Sequence, residues 1–418
     1  MTSPIEQRGA TARVEIESLA EGGDGVGHLA DGRVIFVSST APGDLAVVTI
    51  VESRRSYARG RLDHLERVSP LRVPVECSLH EQGRCGGCPW LHVDREAQLA
   101  AKAQIVANAL RHELEHGLEL EPILAPVAAR GWRRRARLRW HRSRDAALAH
   151  VGFVAPRSHQ VHELRECAQL DPRLLKAVIA TRDALRRRLL GQGEVCFVVG
   201  HRGAIHVSLE GSAPPRAALE ALIGRAGIVG VRAGKRVLGE PAIELEPGVQ
   251  VAADDFVQVS AAGNDTLRAL VRDRLALEPK EHVLELFAGS GNFTRDLVGD
   301  AREVVAIEQA ASEPVAGAGV TFRAGEARAE VDLLLAEGAR FDVALIDPPR
   351  GGAQGLAPRL AALGVERLVY VSCNPATLAR DLAALREVGF RPHRAVAVDL
   401  MPQTSEVEVV VSLVATAL

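Results

Sequence analysis

The chain is poor in aromatic residues, poor in cysteine and close to neutral. Aromatics make up 3% of its 418 residues, so two tryptophans that fall close together stand out. The net charge is −2, so a nucleic-acid partner would have to be met by local charge and not by the field of the whole molecule. No apolar run approaches the ~20 residues needed to cross a bilayer, and Met1-Thr2-Ser3-Pro4-Ile5-Glu6 begins no signal peptide. These absences predict a cytoplasmic protein with no membrane contact. Disulfides are disfavoured in that compartment, so clustered cysteines point to metal binding or to chemistry. There is no internal repeat and no long low-complexity tract. What remains is an ordinary folded composition, 47% hydrophobic and 25% charged, long enough for two or three domains.

Among the six cysteines, Cys373 is the most informative. It lies in Ser372-Cys373-Asn374-Pro375, directly after the apolar run Leu368-Val369-Tyr370-Val371. Such a run reads as a buried parallel strand, and ligands of open α/β sheets bind at the carboxyl ends of their strands. A second strand end, Val343-Ala344-Leu345-Ile346, precedes Asp347-Pro348-Pro349-Arg350. A third, Val283 to Phe287, runs into the turn Ala288-Gly289-Ser290-Gly291-Asn292, where Gly289 and Gly291 let backbone approach a ligand. Glu308 closes the strand Val304-Val305-Ala306-Ile307 and can accept from both hydroxyls of a ribose. The loop is neither Gly-x-Gly-x-x-Gly nor a P-loop, which favours a smaller nucleoside such as S-adenosylmethionine over dinucleotides and triphosphates. A tight βα turn is the structural alternative.

Cys77, Cys85, Cys88 and Cys167 form a four-thiol set with seven, two and 78 residues between successive members. One close group of three with a distant fourth fits an iron–sulfur cluster better than the paired knuckles of structural zinc. Cys196, in an apolar strand, reads as core. Residues Arg130 to Arg144 hold eight arginines, with Trp132 and Trp140 interleaved. That pattern suits phosphate contacts and base stacking; a solvated basic strand is the alternative.

Along the chain, residues 11–69 read as a small β-barrel: Ala12–Leu19 alternates, glycines punctuate 22–27, and strands follow at Val34–Val37 and Leu45–Ile50. Pro70 to Pro74 reads as a linker. Helical periodicity covers Asp94 to Glu115, strand-like segments dominate 130–250 with one helix near Pro172–Leu189, and β–α alternation begins at Asn264. The fold class expected is an α/β catalytic domain with a doubly wound, Rossmann-like sheet, an N-terminal small barrel and a central, mainly β domain.

Together these residues resemble the class I RNA uracil-5-methyltransferase family. The resemblance covers nearly the entire chain. Its carriers are Phe256-x-Gln258, Leu286-Phe287-Ala288-Gly289-x-Gly291-Asn292-Phe293-Thr294, Asp347-Pro348-Pro349-Arg350, Ser372-Cys373-Asn374-Pro375 and the C-terminal Glu408, in that order. It implies a TRAM-like RNA-binding barrel over 1–69, a cluster-binding and RNA-contact domain over 70–93 and 123–250, and a methyltransferase domain over 94–122 and 251–418. It implies S-adenosylmethionine contacts at Gln258, Phe287, Gly289, Asn292, Glu308 and Asp347, and at Glu326 by a looser alignment. It also implies a 4Fe–4S cluster on Cys77, Cys85, Cys88 and Cys167, a nucleophile at Cys373 and a base at Glu408. Cys373 is then the one cysteine expected as a free, reactive thiolate. The implied substrate is RNA, 23S rRNA ahead of tRNA, acted on by a monomer. An RNA-binding assembly factor with a degenerate methyltransferase domain is the non-enzymatic alternative. The chain departs from the family pattern at Ser260, where Asn is usual, and at Gln403 and Glu406, which stand in place of two histidines.

Overall fold

The computed structural model describes residues 8–211, 213–309 and 319–416. Its first five strands are β1 (Thr11–Leu19), β2 (Gly25–His28), β3 (Val34–Val37), β4 (Leu45–Ser53) and β5 (Tyr57–Arg67). They close into a barrel in the order β1-β2-β3-β5-β4. Inward Val14, Ile16, Ile35, Val37, Val48 and Ile50 are fully or almost fully buried, as the alternation in β1 and β4 requires. The glycine stretch expected to be turn holds strand β2. Its glycines are there for close approach: a Cβ on Gly27 would stand 2.3 Å from the Glu15 carbonyl oxygen, too near for any other residue to pair there.

Three helices follow, α1 (Ser78–Glu81), α2 (Arg95–Ala109) and α3 (Arg111–Glu115). Asp94 caps α2 by accepting from the Glu96 and Ala97 N–H groups. Strand β6 (Glu119–Leu124) comes next, then β7 (Arg135–Arg142), β8 (His150–Val154), β9 (Val161–Glu163), α4 (Pro172–Leu185), β10 (Gly191–Val199), β11 (Ile205–Glu210), α5 (Arg216–Glu220), β12 (Ile228–Ala233) and β13 (Arg236–Gly239). Seven of these strands make one sheet in the order β13-β12-β11-β10-β7-β8-β9, and Leu174, Ala177, Val178 and Leu185 of α4 share its core. A hairpin of β14 (Ile243–Glu246) and β15 (Val249–Val251) leads into α6 (Ala261–Leu275).

The last unit alternates strand and helix: β16 (His282–Leu286), α7 (Thr294–Leu297), β17 (Glu303–Glu308), β18 (Val320–Ala324), α8 (Ala327–Ala336), β19 (Val343–Ile346), α9 (Ala357–Ala362), β20 (Arg367–Ser372), α10 (Pro375–Glu387), β21 (Phe390–Val398) and β22 (Glu408–Ala415). The sheet order is β18-β17-β16-β19-β20-β22-β21-β6. The first five strands are parallel, and β22 runs antiparallel between β20 and β21. The switch lets two distant strand ends, after β20 and before β22, open side by side. The apolar runs of β16, β19 and β20 are buried on both faces, as central parallel strands must be. Strand β6, from before the seven-stranded sheet, forms the far edge by pairing parallel with β21.

Candidate active site

The carboxyl ends of β16, β17, β19 and β20 and the start of β22 surround one cavity of about 1020 Å³. Gln258, Phe287, Gly289, Asn292, Glu308, Asp347, Cys373 and Glu408, each singled out in the sequence, all line it, as does Glu326. Cys373 follows β20, Asp347 follows β19, and Glu408 opens β22. Phe287 turns the chain out of β16 with φ of 64°, a left-handed conformation that costs energy for a residue with a side chain. The Gly289 N–H donates to Glu308 Oε2 at 2.9 Å, tying the glycine loop to the neighbouring strand end. Glu326 caps α8 and is held by Arg328 at 2.9 Å.

The floor of the cavity is acidic. Burial pushes Asp347 up to about 7. Burial, then Asp347 and Glu406, push Glu408 up to about 8, with Arg350 opposing. Burial, then the Glu408 and Asp347 carboxylates, push the Cys373 thiol up to about 12. The thiolate expected at Cys373 is therefore not its resting form. The sequence places the thiol at a strand end but gives no sign of the two carboxyl groups that face it. A cation entering this floor favours the ionised form of all three groups, because opposite charge offsets the cost of burial.

Behind the cavity, Glu285 of β16 is almost wholly buried, with Thr294 as the polar group beside its carboxyl. Burial pushes it up to about 8 against the opposing pull of the Thr294 hydroxyl and N–H, and Asp347 and Asp296 add to the rise. The sequence analysis passed over it as part of an apolar run. A carboxyl group raised in the folded state contributes stability that is present below its unfolded value and lost as pH climbs to the folded one. Glu285→Gln, which fixes the neutral form, is expected to stabilise the ligand-free protein at pH 8 by on the order of 2 kcal/mol, seen as a higher melting temperature, and to change it little at pH 4. Thermal melts at the two pH values check this; an equal effect at both would refute the assignment.

The loop between β21 and β22 carries two of the three departures from the family pattern, Gln403 and Glu406, and the structure accounts for the first. Gln403 adopts φ of 69°. Its N–H donates to Gln98 Oε1 at 2.9 Å, its side-chain oxygen accepts from Gln98 Nε2 at 2.8 Å, and its carbonyl accepts from the Trp90 N–H at 3.0 Å. Deeper in α2, fully buried Lys102 pairs with Asp399 at 2.5 Å and donates to the Met401 carbonyl at 3.0 Å. Gln403 is thus a structural pin of the segment that delivers Glu408. Glu406 instead pairs with Arg350 at 2.6 Å, beside the cavity mouth. From the barrel, the Gly22 N–H donates to Ser405 Oγ at 3.0 Å.

The four remaining cysteines of the expected set are all half-buried. Cys77 precedes α1, Cys85 and Cys88 lie in the turns after it, and Cys167 lies before α4. Burial first, then the neighbouring thiols, push Cys85 up to about 11 and Cys88 up to about 12. The Arg133 guanidinium faces Cys88, Cys167 and Cys85. Among the described residues no three His, Cys, Asp or Glu side chains stand as a ready metal-holding group. The donor set nevertheless fits a thiolate-held group: four soft ligands in one neighbourhood, with a cation to offset their charge. Cys196 is core, 3% exposed.

One expectation fails. Trp132 and Trp140 do not offer their faces to bases, since they are 8% and 1% exposed. The Trp132 indole N–H donates to Gln169 at 2.7 Å, and Trp140 belongs to the core under the seven-stranded sheet. Strand β7 alternates, so Ala136, Leu138 and Trp140 point in while Arg137 and Arg139 point out and pair with Glu194 at 3.4 and 3.2 Å. Period-two patterning was present in the sequence and outranked the arginine count.

The open parallel sheet with its ligand cavity at the switch of strand direction defines a methyltransferase of the S-adenosylmethionine-dependent class. The TRAM domain matches residues 6–62, and the tRNA (Uracil-5-)-methyltransferase family matches residues 326–416. The 23S rRNA (uracil(1939)-C(5))-methyltransferase RlmD of Pseudomonas putida is 35% identical over 430 residues, spanning 96% of this chain and 93% of its own. Its counterpart from Vibrio cholerae is 32% identical, spanning 94% of each chain. The crystal structure of Pyrococcus abyssi tRNA (uracil-54, C5)-methyltransferase in complex with S-adenosyl-L-homocysteine shares the fold, with a TM-score of 0.71 over 96% of this chain and all of that one, at 22% identity. The chain belongs to the RNA uracil-5-methyltransferase family. Among the described residues no helix is long and apolar enough to cross a membrane.

Proposed function

We propose that this enzyme methylates carbon 5 of one uridine in 23S rRNA, through a covalent bond between Cys373 and carbon 6 of the base. The observation that carries the reading is the single cavity in which Cys373, Asp347 and Glu408 meet beneath the Gly289 loop. S-adenosylmethionine supplies the methyl group and a positive sulfonium. Gln258, Phe287, Gly289, Asn292, Glu308 and Asp347 hold and orient it, with Glu308 at the ribose. The Cys373 thiol gives its proton up to solvent as its sulfur adds to carbon 6, and the 5,6 electron pair shifts toward the ring carbonyl, which makes carbon 5 an enolate nucleophile. Carbon 5 then takes the methyl group from the sulfonium, releasing S-adenosylhomocysteine, and still holds its own proton. Glu408 removes that proton; the freed electron pair restores the 5,6 double bond and expels the Cys373 thiolate. Arg350 offsets the charge that develops on the ring. Such a target base must be turned out of its stack to reach the cavity. The barrel over 1–69 and the exposed arginines of the central unit hold the surrounding RNA. In this division 70–93 and 123–250 form the central domain, and 94–122 joins 251–418 as the catalytic domain.

Cys77, Cys85, Cys88 and Cys167 would hold a 4Fe–4S cluster in the central domain. Protein purified without oxygen is expected to be brown, with broad absorption in the blue that Cys88→Ser removes. A colourless protein holding one zinc per chain would overturn the cluster.

The function itself is tested by mapping 5-methyluridine in rRNA and tRNA from a strain lacking the gene. Loss at one 23S position, restored by the wild-type chain and not by Cys373→Ala, is expected. Intact 23S methylation with a loss in tRNA would move the substrate to tRNA.

A further inference from the structure

Beside the glycine loop, one buried carboxylate gathers side chains from three other segments. Glu246 ends β14 and is 9% exposed. Its Oε1 accepts from Arg134 Nη1 at 2.7 Å and from Asn264 Nδ2 at 3.1 Å. Its Oε2 accepts from Arg268 Nη1 at 3.3 Å and from Arg295 Nη2. Against the upward pull of burial, Arg295 and Arg134 hold this carboxyl down at about 2. It is therefore an anion at any working pH, and the three guanidinium groups stay compensated.

The second bonds of these partners reach the walls of the cofactor cavity. Arg134 donates its Nε to the Gln258 carbonyl at 2.9 Å, and its backbone N–H to the Val259 carbonyl at 2.8 Å. Asn264 donates to Asn292 Oδ1 at 2.8 Å. Gln258 and Asn292 line the same cavity from chain segments on either side of α6. Glu246 itself borders the cavity, as do Arg134 and Arg295, and a single intermediary ties its carboxylate to the Gln258 segment and to the Asn292 loop. We propose that Glu246 is a positioning residue for the cofactor site, fixing the Gln258 segment and the Asn292 loop at the separation that S-adenosylmethionine requires. This rests on the cofactor assignment made above.

The energetic logic favours position over bulk stability. A buried charge with several partners gains little net stability over an apolar replacement, because desolvation consumes the Coulombic gain. It does restrict those partners to one arrangement. Contacts held in a fixed register bind a ligand without the entropy of assembling the site first.

The test measures S-adenosylhomocysteine binding by calorimetry in wild type, Glu246→Gln and Asn264→Ala. Glu246→Gln keeps the shape and removes the charge; a roughly tenfold rise in Kd is expected for groups coupled through a shared buried network. Asn264→Ala cuts only the arm to Asn292 and leaves the arginines paired, so it serves if the first variant fails to fold; a rise of roughly threefold is expected. For both, KM for S-adenosylmethionine should rise by more than kcat falls, while RNA affinity stays at the wild-type value. A role confined to stability would lower the melting temperature and leave Kd unmoved, and that result in either folded variant overturns the inference. Failure of wild type to bind S-adenosylhomocysteine would sink the cofactor assignment and this inference with it.

Discussion

Cys373→Ala is expected to abolish turnover, with a loss of at least roughly ten-thousandfold in kcat, because no other group in the cavity can add to carbon 6. The loss should be confined to chemistry. The thiol supports no fold element, since it lies past the end of β20 and is only half-buried, so S-adenosylhomocysteine affinity and melting temperature should match wild type. The diagnostic measurement uses RNA carrying 5-fluorouridine. With fluorine on carbon 5 there is no proton to remove, so the methylated adduct cannot resolve and survives a denaturing gel. Wild type should form this adduct only when S-adenosylmethionine is present to complete methyl transfer, and Cys373→Ala should form none. An adduct in the alanine variant would place the nucleophile elsewhere. The resting protonation of the thiol adds a second expectation. With Asp347 and Glu408 both facing a thiol pushed up to about 12, alkylation by a neutral thiol reagent should be slow in the free enzyme. Addition of a sulfonium ligand should speed it, because the cation offsets the carboxylates.

Glu408→Gln is expected to stall the enzyme one step later. The amide keeps the shape of the side chain but cannot take the carbon 5 proton, so the methylated intermediate should accumulate on ordinary RNA, while kcat drops by roughly a hundred- to ten-thousandfold. The wild-type pH profile carries the matching signature. Glu408 must be ionised to act, and burial sets it near 8 in the free enzyme. The rate constant kcat/KM should therefore climb with pH through about 8 and level off above roughly 9. Asp347, near 7, contributes to the same limb. The residual activity of Glu408→Gln should have lost the upper part of that climb. A profile unchanged by the substitution would assign the limb to Asp347 alone.

The parts of this molecule that were legible in its sequence share a physical cause. Strands covered on both faces, β16, β19 and β20, are continuous apolar runs, and their ends could be read directly as the places where Asp347 and Cys373 emerge. The glycine loop was legible because Gly289, at φ of 56°, needs backbone freedom. Strands β6, β18 and β21 were not read in advance. Each has a polar or exposed face, and β6 and β21 contain Pro122 and Pro392, residues that argue against a strand when only the local pattern is weighed. The arginine–tryptophan stretch misled because composition spoke louder than alternation. Glu246 left no local trace at all: its partners come from α6, α7 and the segment before β7. The state of Cys373 was likewise hidden, since a pKa depends on which carboxylates the fold brings near, and these come from after β19 and from the start of β22.

The edge position of β6 bears on how the protein is made. This strand leaves the ribosome early, yet its partner β21 lies beyond residues 125–389. At about 5 to 20 residues per second the partner emerges roughly ten to fifty seconds later. Over that interval β6 presents unpaired backbone to the cell, an invitation to wrong pairing. Glu119, Glu121 and Pro122 stand within its six residues. The same residues that disguise it as a strand keep it from aggregating while the nascent chain waits for the sheet that it will complete.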